Sequence, residues 1–239
     1  MAIVDDAVKK MMSALPEFSK AQSDSREGQG IRLDDYAGII EEMGLTVEEV
    51  LAEERDVLGT YRPMRSPGLI TLYSNELSAF FWHLAYQINQ TGYYMERVDF
   101  ERMAHMVALK TYTHEQFHHF SDVARQLFGG THNRQIEEAL AVAWSYRKVQ
   151  EQRNAWMSKE ARLSSPFYNE MMQRMYRYTS PGYSDWVHYQ AEVDFLTTVA
   201  NYLGGTQRGF LAQSGIDVGR VLLAVLEEVK DKGVIEEIV

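Results

Sequence analysis

Two histidines and a glutamate lie close together in the segment THEQFHHF, which runs from Thr113 to Phe120. His114 and His118 are four residues apart, so on an α-helix they lie one turn apart on the same face. Two imidazoles in that arrangement can bind one metal ion, and the carboxylate of Glu115 lies alongside, where it can polarise a water on that ion. The spacing therefore predicts a metal site with a general base, provided that the segment is helical.

The surrounding sequence favours a helix. Apolar residues recur at helical spacing before and within the motif, which predicts a helix from about Asp99 to Phe128. Gly129 and Gly130 end it, because glycine accepts the left-handed conformation at a helix C-terminus. A second long helix is expected from about Asn133 to beyond Trp156. The glycine turn lets the second helix fold back along the first.

A third metal ligand is available on the second helix. A catalytic zinc takes three protein ligands and leaves one position for water. The sequence QIEEALAVA places Glu137 and Glu138 in the first turns of the second helix, and Glu138 comes 20 residues after His118. Both carboxylates are candidates on this evidence.

The combination of His-Glu-x-x-His, a glycine turn and a glutamate about twenty residues later resembles the gluzincin class of zinc peptidases. The small residues after that glutamate, in EALAVA, are also similar to those of small intracellular zincin-like peptidases that cut phage repressors. The resemblance covers residues 68–156. It implies that His114, His118 and Glu138 bind Zn²⁺, that Glu115 is the general base, and that the substrate is a peptide or protein. Glu138 is preferred over Glu137 on this offset.

The sequence departs from the gluzincin pattern at one supporting position. Thermolysin-like enzymes have an aspartate four residues after the ligand glutamate, where this chain has Val142. Support for a metal-bound histidine must therefore come from elsewhere. Asp122, one turn after His118, is a candidate, as are Glu137 and His119. The group that stabilises an oxyanion is expected downstream, with positional candidates at Tyr178, Tyr183 and His188.

The remaining pattern predicts a mainly α fold with a minimal sheet (α+β), built around a zincin-like helical core. The segment GLITLY, Gly68–Tyr73, has the composition of a strand and is followed by a helix from about Asn75 to Gln90. The tail GVIEEIV is a candidate strand that pairs with GLITLY. Later helices are expected over 167–176, 184–203 and 216–230. The order of strand, helix and metal-binding helix is similar to a minimal zincin core.

The chain divides into three regions on this interpretation. Residues 1–60 form an N-terminal helical appendage, residues 61–160 the metal-site core, and residues 161–239 a C-terminal helical region packed on the core. The appendage contains a helix to about residue 18, a polar linker near 19–30, a helix from about Asp34 to Gly44, and another that begins with a capping box at Thr46 and Glu49. The loop 61–68, with two prolines and a glycine, is the expected boundary.

Composition excludes several classes of protein. A net charge of −10 argues against nucleic acid as the main partner. The sequence has no cysteine, so any metal must bind His, Asp or Glu. No apolar run approaches the roughly 18 residues of a membrane span, and the N-terminus lacks the features of a signal peptide, so a cytoplasmic location is expected. The terminal helices are candidates for contacts with a protein partner or a second copy of the chain.

Two alternatives to a peptidase remain. A di-iron helical bundle also uses Glu-x-x-His, but it needs a second such pair. Glu115 and His118 are the only pair at that spacing, since Glu101 and His105 are four residues apart. The other alternative is a non-catalytic interaction protein that keeps a zincin-like fold.

Overall fold

The computed structural model describes residues 2–13, 41, 44, 46, 57–63, 68–93, 95–159, 165–205, 217–229 and 234–239. Over these residues the fold is mainly helical, with a small three-stranded sheet, as the sequence predicts. The predicted linker at 19–30 lies outside the described residues, as do nearly all residues of the two helices predicted after it. The three proposed regions and their boundaries stay predictions.

The helices and strands follow one another in the order α1, β1, β2, α2 to α7 and β3. Their bounds are α1 Ala2–Met11, β1 Gly59–Arg62, β2 Gly68–Leu72, α2 Ser74–Asn89, α3 Arg97–Phe128, α4 Arg134–Lys159, α5 Ser165–Met175, α6 Glu192–Leu203, α7 Val218–Val229 and β3 Val234–Ile238. A short 3₁₀ helix, Ser184–Tyr189, lies between α5 and α6.

The central element is α3, which is buried on almost every side. It packs against α4, α1, α2 and the sheet, and Phe100, Val107, Phe117 and Phe120 are fully buried along it. Such a helix needs apolar residues all round rather than along one stripe. A capping box between Glu96 and Asp99 begins the helix. Gly129 ends it with a positive φ of 65°, as the glycine pair predicts.

The sheet has the strand order β1-β2-β3. The predicted strand GLITLY forms β2, and the C-terminal tail pairs with it in parallel, with Ile70 opposite Glu236. Both predictions are confirmed. The strand β1 was not predicted: it pairs antiparallel with β2, with Tyr61 opposite Ile70. The predicted boundary loop therefore begins later, because Tyr61 and Arg62 belong to β1.

The predicted continuous helix over 184–203 is wrong. The chain instead forms the 3₁₀ helix Ser184–Tyr189, and Ala191, which is extended with ψ 138°, precedes α6. Arg147 of α4 accounts for the break, because its Nη2 donates to the backbone carbonyls of Tyr189 and Gln190 at 3.0 and 2.9 Å. These carbonyls are held by a side chain on α4 rather than by a continuing helix.

The other helices complete one core around α3. The apolar face of α1, which includes Ile3, Val4, Ala7 and Met11, is buried against α3 and α2. The aromatic residues Phe81, Trp82 and Phe100 pack together between α2 and α3. No helix in the described part of the chain is long and apolar enough to cross a membrane.

Candidate metal centre

The structure brings His114, His118 and Glu138 together between α3 and α4. The Nε2 atoms of the two histidines are 3.3 Å apart. Glu138 Oε2 lies 3.2 Å from His114 Nε2 and 3.4 Å from His118 Nε2. The two histidines share a face of α3 because they are one turn apart, and α4 runs back along α3 after the Gly129 turn. Three potential ligand atoms therefore meet at one point.

The spacing of these atoms fits a tetrahedral zinc ion. With zinc–ligand bonds of about 2.0–2.1 Å, two ligands at tetrahedral angles are about 3.3 Å apart. The three observed separations lie within 0.1 Å of that value. Glu138 Oε2 is also buried and has no hydrogen bond of good geometry among the described residues. An unsatisfied carboxylate oxygen facing two imidazoles is well placed to bind a cation.

Glu137 supports His118 from the other side of its ring. His118 Nδ1 donates to Glu137 Oε1 at 2.8 Å, which leaves Nε2 directed at the cluster. Ligand histidines commonly have such a carboxylate, because it fixes the ring orientation and makes the other nitrogen more basic. The two consecutive glutamates of α4 thus have different positions: Glu138 faces the Nε2 atoms and Glu137 faces Nδ1.

The carboxylate of Glu137 is itself held on several sides. Its Oε2 accepts hydrogen bonds from Ser121 Oγ, at 2.8 Å, from Arg125 and from Tyr202. Ser121 and Arg125 belong to α3, whereas Tyr202 lies near the end of α6. Three side chains from two elements therefore hold this carboxylate beside His118.

Electrostatics keep both glutamates ionised. Burial acts to raise the pKa of Glu137, but hydrogen bonds from His118 and Tyr202 outweigh it and lower that pKa to about 2. Burial likewise opposes ionisation of Glu138, and the two imidazoles bring its pKa well below the usual range. For His118, burial is outweighed by the hydrogen bond to Glu137 and the nearby carboxylate of Glu138, which raise its pKa to about 10. The two carboxylates of α4 are therefore ionised, and both face His118 of α3.

Glu115 lies in a different environment from the two glutamates of α4. It is buried, and this burial raises its pKa, although the nearby charges of His114 and His118 act in the opposite direction. The backbone N–H of Tyr61, in the edge strand β1, donates to its carboxylate. A raised pKa brings a carboxylate closer to neutral pH, where it accepts and returns protons more readily.

Tyr183 covers the other side of His114. The two rings are stacked, with centroids 5.8 Å apart and planes 12° apart, and the hydroxyl of Tyr183 donates to Glu138. Gly182 makes this approach feasible: its φ is +85°, and a Cβ there would lie 3.3 Å from Cα of Gln135 on α4. Of the three downstream candidates for an oxyanion group, Tyr183 lies at the cluster. His188 is exposed on the 3₁₀ helix.

Asp122 and His119 do not support the cluster histidines directly. Asp122 Oδ2 accepts from Tyr61 Oη at 2.9 Å, and His119 Nδ1 lies 3.4 Å from the same hydroxyl. The Asp122 carboxylate, a predicted support for His118, instead contacts Tyr61 of β1, Gln126 and, at 3.7 Å, Arg125. Glu137, the other carboxylate candidate, is the one that contacts His118.

Four residues around the site were missed by the sequence analysis. Ser121 and Arg125 follow His118 by three and seven residues, so helical periodicity could have identified them as neighbours on the same face. Tyr61 and Tyr202 come from β1 and α6, far along the chain, and no local pattern marks them. Tyr178 packs against Tyr183, with ring centroids 5.5 Å apart, and lies one layer further from the cluster.

No protein-family model matches the chain, and no curated protein or solved structure is significantly similar to it.

Proposed function

We propose that the protein is a zinc-dependent hydrolase, and most simply a peptidase. The observation that supports this best is the convergence of His114 Nε2, His118 Nε2 and Glu138 Oε2 at mutual distances of 3.2–3.4 Å, with Glu115 beside them. Three ligands leave a fourth tetrahedral position for water, which is the arrangement of a catalytic rather than a structural zinc site.

Each residue then has a definite task. His114, His118 and Glu138 would hold a zinc ion, which would supply a bound water of pKa about 7 and polarisation of a substrate carbonyl. Glu115 takes a proton from the attacking water and transfers it to the leaving amine nitrogen. Glu137 holds His118 in orientation through Nδ1, and the backbone N–H of Tyr61 holds Glu115.

Tyr183 is the best-placed group to stabilise an oxyanion. Burial raises the pKa of its hydroxyl, so that it stays protonated at neutral pH, and it already donates to Glu138 at the cluster. A phenol that shifts its hydrogen bond from Glu138 to a developing oxyanion stabilises the transition state more than the ground state. Such donors typically contribute about 10²–10³-fold to kcat.

The test of this function is peptide hydrolysis by the zinc-loaded chain. A mixture of peptides from a denatured protein is incubated with the wild type and with Glu115→Gln, and the products are identified by mass spectrometry. We expect cleavage by the wild type, and loss of turnover in Glu115→Gln with zinc content preserved. Equal cleavage by both proteins would contradict the role of Glu115.

One observation favours a different function for the same cluster. The side chains of His114, His118 and Glu138 are only 12%, 15% and 11% exposed. Limited access suits a metal that stabilises an interaction protein, which is the second candidate function. This candidate would be favoured if the wild type binds zinc but hydrolyses no peptide in the mixture, and if Glu115→Gln changes neither the zinc content nor the peptides recovered.

A further inference from the structure

A second concave site is lined in part by the 3₁₀ helix that directly follows Tyr183. It is a cleft of about 480 Å³ between α4, α5 and the 3₁₀ helix. Its floor is formed by the buried residues Met172, Tyr176 and Trp186, and Arg153 and Arg177 are among the residues on its walls. A volume of this size accommodates a few amino-acid side chains.

The two arginines give the cleft a local positive charge. Among the described residues, Arg153 donates to the amide of Asn169 at 2.8 Å, and neither arginine forms an ion pair. Two acidic side chains that adjoin cleft residues in the chain are paired elsewhere: Glu170 with Arg174 at 2.7 Å and Glu151 with Lys148 at 3.6 Å. Two guanidinium groups in one cleft without an ion pair to a described residue are unusual on a protein with a net charge of −10. They fit carboxylates, which guanidinium binds in a bidentate manner.

The floor of the cleft is aromatic and closely packed. Tyr146 lies 4.8 Å from Trp186 and 5.1 Å from Tyr176, measured between ring centroids, and Tyr176 lies 5.6 Å from Trp186. Buried aromatic groups surrounded by polar residues are typical of the energetic centre of a binding surface. The floor therefore fits an apolar side chain, while the arginines fit acidic neighbours of that side chain.

The position of the cleft relates it to the metal centre. Tyr146 and Arg153 follow Glu138 on α4 by eight and fifteen residues, which corresponds to about 12 and 22 Å along the helix and to the same side of it, within about 80°. An extended peptide rises about 3.3 Å per residue. The cleft is therefore about four to seven residues away from a peptide bond placed at the cluster.

We propose that this cleft is an exosite that binds an acidic segment of a peptide substrate, with an apolar side chain on its aromatic floor. As a determinant of specificity it rests on the proposed peptidase function. The binding step itself requires only the cleft, so it is tested on the metal-free protein.

The binding test uses the full chain in the presence of a chelator. Fluorescence anisotropy measures the affinity for a labelled peptide of about ten residues in which a leucine is flanked by Glu and Asp, since this length spans the cleft and its surroundings. A second peptide replaces each Glu and Asp by Gln and Asn. We expect the acidic peptide to bind about tenfold or more tightly than the neutral one, and Arg177→Gln and Arg153→Gln each to remove most of that difference.

The control variant is Arg97→Gln, which removes an equal charge from an exposed arginine at the start of α3 that is paired with Glu101. It should bind the acidic peptide like the wild type. The exosite is wrong if the two peptides bind equally, if Arg97→Gln weakens binding as much as Arg177→Gln, or if a single-stranded oligonucleotide binds as tightly as the acidic peptide. Arg177 is exposed, so its substitution leaves the core intact.

The failure of the exosite is distinguishable from the failure of the peptidase proposal. If the zinc-loaded chain cleaves peptides and Arg177→Gln leaves kcat/KM for acidic substrates unchanged, the exosite is wrong while the peptidase stands. If nothing is cleaved but acidic peptides still bind in an Arg177-dependent manner, the cleft is confirmed as an acidic-peptide site and the peptidase proposal is wrong.

Discussion

His118 has a carboxylate near each of its two ring nitrogens. Glu137 is 2.8 Å from Nδ1, and Glu138 is 3.4 Å from Nε2. Because the two glutamates are consecutive on α4, one helix turn carries both a proposed ligand, Glu138, and the carboxylate that contacts the ring of the proposed ligand His118. This division of tasks makes the two adjacent carboxylates non-equivalent, and it can be tested one residue at a time.

Glu137→Gln should weaken zinc binding by about 10–100-fold, because the ring of His118 loses its charged acceptor while all three ligands remain. Affinity is measured by competition with a chelator of known strength. Asp122→Asn is the matched control, since Asp122 contacts Tyr61 rather than His118. If Asp122→Asn weakens zinc binding as much as Glu137→Gln does, Glu137 is not the supporting group.

The buried side chain of Lys110 should make the stability of the protein depend on pH. Burial lowers its pKa to about 7, and its Nζ faces the rings of Phe80 and Tyr178 at 4.5 and 5.2 Å. In the unfolded chain the lysine keeps a pKa of about 10.4. Between these two pKa values Lys110 is protonated in the unfolded chain but largely neutral in the folded one. The free energy of unfolding therefore rises with pH, by at most about 1.4 kcal/mol per pH unit from this group.

Lys110→Met removes this contribution. Urea unfolding is measured for the wild type and the variant from about pH 6.5 to 9.5. Over most of this range Lys110 is protonated in the unfolded chain and neutral in the folded one. The stability advantage of the variant should be greatest at the low end and shrink as the pH rises. Lys9→Met, on an exposed face of α1, is the control and should show no such trend. A constant difference for Lys110→Met would mean that the lysine is not desolvated.

At the residue scale, the three residues of the cluster could be predicted from the sequence more completely than the residues that contact them. The His-Glu-x-x-His spacing is local, because one helix turn determines which side chains share a face, so His114 and His118 could be paired from the sequence alone. The partners of Glu137 could not all be found, since Tyr202 reaches it from α6 and the pairing of distant elements leaves no periodic signal. The spacing along the chain leaves Asp122, Glu137 and His119 all as candidates to support His118, because it does not show which side chain faces Nδ1.

At the scale of elements, α3 and α4 form the scaffold and the segment after α5 covers it. Gly182 has a positive φ of +85° and approaches Gln135 and Glu138 on α4. Because glycine alone adopts this conformation without strain, the segment can place Tyr183 on His114. The position of a candidate catalytic group thus depends on one turn.

Gly182→Ala should destabilise the protein by about 1 kcal/mol and lower kcat/KM while leaving zinc content unchanged, because Tyr183 is displaced and the ligands are not. Gly92→Ala is a close control, since Gly92 has a φ of +83° but open space around it. It should lose similar stability and keep full activity, as measured by thermal unfolding and peptide hydrolysis. Equal losses of activity in both variants would mean that strain, not the position of Tyr183, lowers the rate.

The C-terminal strand stabilises the sheet and α3 together. Tyr112 of α3 donates to Glu236 at 2.6 Å, and Thr71 of β2 donates to Glu237 at 2.7 Å. Deleting residues 234–239 should lower Tm by about 10 °C, since several backbone and side-chain hydrogen bonds of about 1 kcal/mol each are lost. Ile235→Ala, at a side chain 51% exposed, is the control and should leave Tm nearly unchanged. A deletion variant with the wild-type Tm would contradict this role for β3.

Elements were predicted where a local pattern was long or distinctive. The helices α3 and α4 have many apolar turns, and β2 has a compact apolar composition. The strand β1 contains only four residues, GTYR, and is defined by pairing with β2 rather than by its own pattern. The break between Tyr189 and α6 depends on Arg147 from α4, so the apolar periodicity on both sides of it suggested one helix.

At the scale of the whole molecule, the site connects elements that are distant in the chain. Residues from β1, α3, α4, the Gly182 turn and α6 all contact the cluster or its supporting groups.

A ligand that binds only the folded state stabilises it in proportion to the logarithm of its concentration over Kd. Zinc at about 100 times its Kd should therefore raise the free energy of unfolding by about 2.7 kcal/mol. Urea unfolding with zinc and with chelator measures this difference, and equal stabilities would mean that the folded site does not bind zinc.

The most direct test of the central claim is the metal content of the purified protein. Elemental analysis is carried out on chain expressed without a histidine tag, for the wild type, for His118→Ala and for Glu115→Gln. We predict about one zinc per chain in the wild type and in Glu115→Gln, and its loss in His118→Ala, because three ligands define the site and Glu115 is not among them. Absence of metal from the wild type after zinc is supplied, or retention of zinc by His118→Ala, would contradict the assignment of His114, His118 and Glu138 as a metal centre.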